Sequence, residues 1–263
     1  MNASAIMEVI ALNLQISVLL PVIFFSAKLM KGGKQGIFPA VFTFAMVGLM
    51  LSCLYNSLNS LLTQGDRMPF AADEIAECSM LLLLSAGLES MAREKEKVAI
   101  RELIFSIAFI GSNIVLWIAW SGEWIQDILF GLPYVYFLYL ILRGVRKTNA
   151  LTQRETVIAA FLGIGIMIAQ LIALGLDEEI GYVMDNVCHV PEFIIIVWLF
   201  WKCVRVLKKT NRGEEALFLS LLCFLWSLLV TYMCGEICYG LALIINTATL
   251  PLMLLAMKKG AVK

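Results

Sequence analysis

Long apolar runs are the feature of this sequence that most restricts its fold. Stretches of about 20 predominantly apolar residues recur along the chain, and this is the length with which an α-helix crosses roughly 30 Å of hydrocarbon. Hydrophobic residues make up 61% of the 263 residues and charged residues only 15%, whereas a soluble domain carries about 25% charged residues. Because lipid cannot satisfy backbone hydrogen bonds, runs of this kind must be helical. The sequence therefore predicts an all-α, polytopic transmembrane helical bundle.

We predict about nine spans, with eight possible, joined by short loops into antiparallel hairpins. The predicted spans are residues 7–28, 37–62, 71–91, 101–120, 124–143, 155–175, 181–202, 215–233 and 236–257. The alternative of eight arises because almost no loop separates the last two runs. Residues 1–263 are expected to form a single integral membrane domain, with no soluble domain and no removable signal peptide.

The distribution of charge predicts the orientation of the chain. All but one of the 20 lysines and arginines fall in alternate connections or in the C-terminal tail, and Arg67 is the exception. The positive-inside rule then places the N-terminus outside and the C-terminus in the cytoplasm, in a plasma or inner membrane. Most acidic residues fall on the opposite side, where an acidic mouth attracts cations. The basic rim suits anionic lipid headgroups and does not indicate nucleic-acid binding.

A polar stripe in the seventh span is the strongest functional signal. Asp185, His189 and Glu192 are spaced i, i+4 and i+7 and therefore share one helix face, with Glu192 about 10 Å deeper than Asp185. His189 is the only histidine, and Pro191 removes the usual helical partner of the Val187 carbonyl. Groups of this kind must face a protein interior or water rather than lipid.

Other polar side chains lie at a similar depth, and we expect them to line one outward-facing pocket together with the stripe. The predicted substrate-binding residues are Asp185, His189, Glu192, Asn56, Asn59, Glu77, Gln170 and Glu236. Carboxylate and amide oxygens suit hard or organic cations, and a histidine can carry protons near neutral pH. Three tryptophans that flank the outer turn after the fourth span are expected to anchor it in the membrane interface: Trp117, Trp120 and Trp124.

The favoured hypothesis is a small transporter or channel for a cation or a cationic or polar small solute. One alternative is a sensory or ligand-binding membrane module that acts through a cytoplasmic partner. A second is an intramembrane enzyme, but the sequence has no HExxH motif, no histidine pair and no paired aspartates. We therefore assign no catalytic residues, expect no cofactor and leave the question of a metal open. A homo-oligomer, and a purely structural role for the stripe in helix packing, also stay open.

Overall fold

The computed structural model describes residues 3–31, 37–62, 72–91, 98–209, 211–231 and 236–261. Within these ranges the chain forms no strand and nine α-helices: α1 (Ala3–Lys31), α2 (Phe38–Leu62), α3 (Ala72–Met91), α4 (Ile100–Ser121), α5 (Trp124–Thr148), α6 (Gln153–Ala173), α7 (Glu178–Leu207), α8 (Gly213–Thr231) and α9 (Glu236–Ala256). A π-helical turn, Met257–Ala261, follows α9. Eight of these nine helices are long and apolar enough to cross a membrane. The predicted all-α membrane bundle is confirmed, and the chain is an integral membrane protein.

Acidic residues make α3 the exception among the described helices. Its 20 residues include Asp73, Glu74, Glu77 and Glu89. The helix packs against α2 and α5. Glu77 is buried there, and Glu89 forms an ion pair with Arg143 of α5 at 3.2 Å. These two glutamates therefore face protein neighbours, as the high cost of a carboxylate in lipid requires.

Contacts between helices give the bundle two distinct ends. Near the start of α1, Asn13 donates a hydrogen bond to Ser57 near the end of α2. Near the end of α1, Ser26 accepts a hydrogen bond from Thr43 near the start of α2. Helices α1 and α2 are thus antiparallel, and so are α6 and α7, because Lys202 near the end of α7 pairs with Glu155 near the start of α6. We call the end with the connections after α1, α3, α5 and α7 the basic end, and the end with those after α2, α4, α6 and α8 the acidic end.

The most buried helix of the bundle is α8. Every residue from Ala216 to Leu225 is buried, and the helix packs against α5, α7 and α9. Its Trp226 meets Phe109 of α4 edge to face, with ring centroids 5.5 Å apart. A close crossing with α5 depends on Gly144, because a Cβ atom there would lie 2.0 Å from the ring of Phe218. The other helices surround this central element.

One of these surrounding helices, α7, separates an apolar outer face from a polar inner face. Exposed apolar residues recur at helical spacing along its outer face: Val183, Val187, Val190, Ile194, Val197 and Trp201. The opposite face buries His189, Glu192 and Ile196. The helix continues through Pro191. The predicted stripe on this span therefore points into the bundle and away from lipid.

Candidate functional site

The predicted stripe on α7 contacts α6 and forms a compact polar cluster. His189 Nδ1 lies 2.8 Å from Glu192 Oε2, and His189 Nε2 lies 3.6 Å from Asp185 Oδ2. Gln170 of α6 donates a long hydrogen bond, 3.5 Å, from Nε2 to the other carboxyl oxygen of Glu192. His189 and Glu192 are 2% and 4% exposed, whereas Asp185 is half-buried. We call these four residues the α6–α7 cluster.

Helix geometry explains why these side chains meet. Side chains on a helix lean toward its N-terminus. Because α6 and α7 are antiparallel, Gln170 leans toward the basic end while Glu192 leans toward the acidic end, and the two groups converge. Gly181 allows the backbones to approach closely, since a Cβ atom there would lie 2.6 Å from the carbonyl oxygen of Ala173. The carboxyl, imidazole and amide groups are consequently directed at one another.

The other predicted site residues lie elsewhere in the bundle. Glu77 on α3 accepts a hydrogen bond from the hydroxyl of Tyr134 on α5. Asn56 and Asn59 are half-buried on α2, and the side chain of Glu236, the first residue of α9, lies outside the described part of the chain.

The packing of the helices explains why Glu77, contrary to our expectation, does not share one cavity with the α6–α7 cluster. The packing neighbours of α3 are α2 and α5, whereas those of α7 are α6, α8 and α9. Glu77 is therefore not brought to the α6–α7 cluster. Equal depth in the membrane does not specify which helices are neighbours.

Glu77 lines a partly open cavity of about 290 Å³ between α3, α4 and α5 at the acidic end. The lining residues are Glu74, Glu77, Cys78, Trp117, Trp120, Ser121, Asp127, Phe130 and Tyr134. Three carboxyl groups and four aromatic rings thus surround one space. We call this cavity the acid–aromatic pocket.

Neighbouring polar groups hold two of the pocket carboxylates in place. Gln126 donates a hydrogen bond to Glu74 Oε2 at 2.6 Å. Ser121, at the end of α4, donates one to Asp127 Oδ2 at 2.5 Å. The tight turn between α4 and α5 makes this second contact possible, with Gly122 in the left-handed conformation at φ 75°.

Aromatic rings form the other part of the pocket wall. The rings of Trp117 and Tyr134 meet edge to face, with centroids 5.6 Å apart. Trp120 is half exposed at the mouth. We predicted Trp117 and Trp120 as interface anchors, and that position fits them, but they also line the pocket. The sequence does contain an indication of this pocket. Trp117 and Trp120 come shortly before Asp127, so the two rings and the carboxyl group lie on either side of the short connection between α4 and α5.

A further set of hydrogen-bonded polar side chains, which we did not predict, lies inside the bundle and joins α1, α2, α8 and α9. Gln15 donates a hydrogen bond to Asn246 Oδ1 at 2.9 Å, and Cys53 donates one to Gln15 Oε1 at 3.1 Å. Asn246 in turn donates to Ser227 Oγ at 3.1 Å and to the carbonyl oxygen of Phe224 at 3.0 Å. We call this set the amide network. The signal for it was the presence of Gln15 and Asn246 in two apolar spans, because amide groups pair across helices.

Glu77 of the acid–aromatic pocket belongs to α3, and α3 packs against α2, which contains Cys53 of the amide network. Cys53 belongs to the amide network, and Asn246 is at the middle of α9. The pocket and the amide network are therefore on neighbouring helices.

Comparisons with models of protein families, with curated proteins and with solved structures gave no significant match. Within the described ranges, no group of three or more His, Cys, Asp and Glu side chains is placed to hold a metal ion.

Proposed function

We propose that this protein is a small membrane transporter or channel for a cation, and that a small organic cation enters it through the acid–aromatic pocket. The observation that carries the proposal is the convergence of three carboxyl groups and four aromatic rings on a cavity of about 290 Å³. Carboxylates attract a positive charge. The faces of Trp, Tyr and Phe rings add about 0.5–2 kcal/mol for each cation that they contact. This combination favours an amine or a quaternary ammonium group over an inorganic ion, which prefers a shell of oxygen ligands.

The amide network supports transport in addition to binding. Polar side chains deep in a membrane bundle are costly and often mark solute pathways. Gln15, Cys53 and Asn246 are such groups, and α2, which contains Cys53, packs against α3 of the pocket. A solute that passes from the pocket toward these residues would find hydrogen-bonding partners inside the bundle.

Charge asymmetry supports an outward-facing pocket. The acidic end contains the pocket, and the positive-inside rule assigns the lysine- and arginine-rich basic end to the cytoplasm. The N-terminus is then outside and the C-terminus inside. Reporter domains fused to the C-terminus test this orientation, and a C-terminus that is accessible from outside intact cells contradicts it.

We place the ligand in the acid–aromatic pocket and not at the α6–α7 cluster because of where the polar groups point. In the cluster, His189 Nδ1 and Gln170 Nε2 are directed at Glu192, and His189 Nε2 faces Asp185. In the pocket, Glu74 and Asp127 line open space. The predicted substrate-binding role of Asp185, His189, Glu192 and Gln170 therefore gives way in our proposal to a role in joining α6 to α7.

Choline uptake tests the proposal directly, since choline is a small quaternary ammonium ion. Purified protein is reconstituted into liposomes with an inside-negative potential, and labelled choline uptake is measured against protein-free liposomes. We expect uptake by the wild type and its loss in Glu77→Gln, where the amide still accepts the Tyr134 hydrogen bond but has no charge. Glu179→Gln is the matched control, because Glu179 is an exposed acid of the same end outside the pocket. Equal uptake by wild type and Glu77→Gln contradicts the proposal.

The path of α3 and α5 favours a sensory module as the second candidate function. Both helices line the pocket, and near the basic end Glu89 of α3 pairs with Arg143 of α5 at 3.2 Å. A ligand that changes the spacing of these helices would act on this pair. Under this alternative, choline stabilises the protein without being transported. A cytoplasmic partner co-purifies with the wild type and is lost when Arg143, Arg146 and Lys147 are neutralised.

A further inference from the structure

A second cavity, of about 440 Å³, lies at the basic end between the α5–α6 connection, the last turns of α7 and the start of α8. Its wall includes two tryptophans, Trp198 and Trp201, and four basic side chains. Trp201 is 49% exposed. The cavity thus combines interface-type aromatic residues with a concentration of positive charge, at a site separate from the acid–aromatic pocket.

Only two of the four basic residues are paired with carboxylates. Lys202 forms an ion pair with Glu155, and Arg212 Nε lies 2.8 Å from Glu215 Oε1. Within the described part of the chain, Arg205 and Lys209 form no ion pair. Arg205 is in the last turn of α7 and Lys209 follows the end of the helix, and both line the cavity. The cavity therefore has an excess of two positive charges.

Stacking on an aromatic ring holds one of these two cations in position. The guanidinium carbon of Arg205 lies 3.7 Å from the centroid of the Trp201 ring. A guanidinium fixed in this way keeps its N–H donors available in a planar fork, which matches phosphate oxygens. The ammonium group of Lys209 adds a second donor to the same cavity.

We propose that this cavity binds the phosphate group of an anionic phospholipid. The outer face of α7 identifies the source of the phosphate: its exposed apolar stripe runs through Val190, Ile194 and Val197 and ends at Trp201, where the cavity begins. An acyl chain lying along this stripe would bring its headgroup to Arg205 and Lys209. Tryptophan is enriched at the depth of lipid headgroups, which fits this arrangement.

Thermal unfolding of the full-length protein in detergent tests the proposal, with phosphatidylglycerol or phosphatidylcholine of the same acyl chains added. We expect phosphatidylglycerol to stabilise the wild type at lower concentration than phosphatidylcholine. In Arg205→Gln/Lys209→Gln, the concentration of phosphatidylglycerol needed should rise about tenfold or more, since two surface-near cations are lost. The control Arg154→Gln/Lys208→Gln removes the same charge from exposed residues of the same end that do not line the cavity.

The proposal would be overturned if the wild type showed no preference for phosphatidylglycerol. It would also be overturned if both double variants needed the same increase in phosphatidylglycerol concentration, because that result indicates general electrostatic attraction. Glycerol phosphate provides a third arm, because it has the phosphate but no acyl chains. Stabilisation by glycerol phosphate at the concentration at which the lipid acts would keep the phosphate site but overturn its assignment to a lipid.

Discussion

The α6–α7 cluster and the acid–aromatic pocket both place buried glutamates inside the bundle, but they differ in what surrounds the carboxyl groups. Around Glu192, an imidazole and an amide lie within hydrogen-bonding distance on the same and the adjacent helix. Glu77 accepts a hydrogen bond from the hydroxyl of Tyr134 and lines, with other acids and aromatic rings, a cavity of about 290 Å³. We expect the arrangement of its partners, more than its depth, to distinguish an acid that joins helices from one that binds a ligand.

The largest expected effect follows from breaking the α6–α7 cluster on one side only. Glu192→Met leaves the His189 imidazole buried beside a methyl group, and loss of one partner of a buried pair costs about 3–5 kcal/mol. The double variant His189→Phe/Glu192→Met removes both polar groups and should be less destabilised than Glu192→Met alone. Unfolding of detergent-purified protein, measured for both single variants and the double variant, gives the coupling energy. Additive effects would show that the two residues are not coupled.

A glycine substitution tests how tightly α6 and α7 are held together. Gly181→Ala places a Cβ atom 2.6 Å from the Ala173 carbonyl oxygen, a backbone atom that cannot rotate away. We expect a loss of about 1–3 kcal/mol in the free energy of unfolding. Gly165→Ala on α6 is the control, because a Cβ atom there meets nothing within 4 Å. This variant should be unchanged or stabilised by up to about 1 kcal/mol, and equal losses in both variants would contradict the close packing.

A smaller effect is expected at the mouth of the acid–aromatic pocket. Trp120→Leu removes a half-exposed ring from the wall, and a cation–π contact at such a site contributes about 0.5–1 kcal/mol. Choline binding should weaken about two- to fivefold, as measured by thermal shift over a range of choline concentrations. Trp124→Leu, which changes an exposed tryptophan outside the pocket, should bind choline like the wild type. If both variants bind equally well, the ring of Trp120 does not contact the ligand.

The smallest effect is expected for Asp185, the partly exposed member of the α6–α7 cluster. Its carboxyl oxygen lies 3.6 Å from His189 Nε2, and the side chain is 23% exposed. Asp185→Asn should lower the free energy of unfolding by no more than about 1 kcal/mol, since pairs reached by solvent contribute little. A loss as large as that of Glu192→Met would place Asp185 in the same buried network and remove the distinction between them.

The sequence predicts the helices of this fold well because membrane spans depend on local composition. The predicted span 37–62 corresponds to α2 (Phe38–Leu62), and the predicted start at residue 124 is the first residue of α5. Helix ends beyond the lipid are predicted less well. For example, α7 runs from Glu178 to Leu207, whereas the predicted span is 181–202. Hydropathy marks the part of a helix that crosses hydrocarbon, and the backbone hydrogen bonds continue beyond it into polar residues.

The candidate site could be predicted only in part, because sequence patterns report on residues that are close together in the chain. The i, i+4, i+7 spacing placed Asp185, His189 and Glu192 on one face, and the structure shows them in contact. Glu77 was also among the predicted residues, but its aromatic neighbours on α4 and its partner Tyr134 on α5 were not. Which helices pack together depends on contacts between distant parts of the chain, and periodicity within one span does not specify them.

The measurement that tests the central distinction most directly is the choline-induced thermal shift of Glu77→Gln and Glu192→Gln, each compared with its own unliganded melting temperature. We predict that Glu77→Gln melts within a few degrees of the wild type and does not respond to choline. We predict that Glu192→Gln melts earlier and is stabilised by choline as much as the wild type, since binding to the folded state stabilises by mass action. The reverse pattern, with binding lost in Glu192→Gln and retained in Glu77→Gln, would contradict the account.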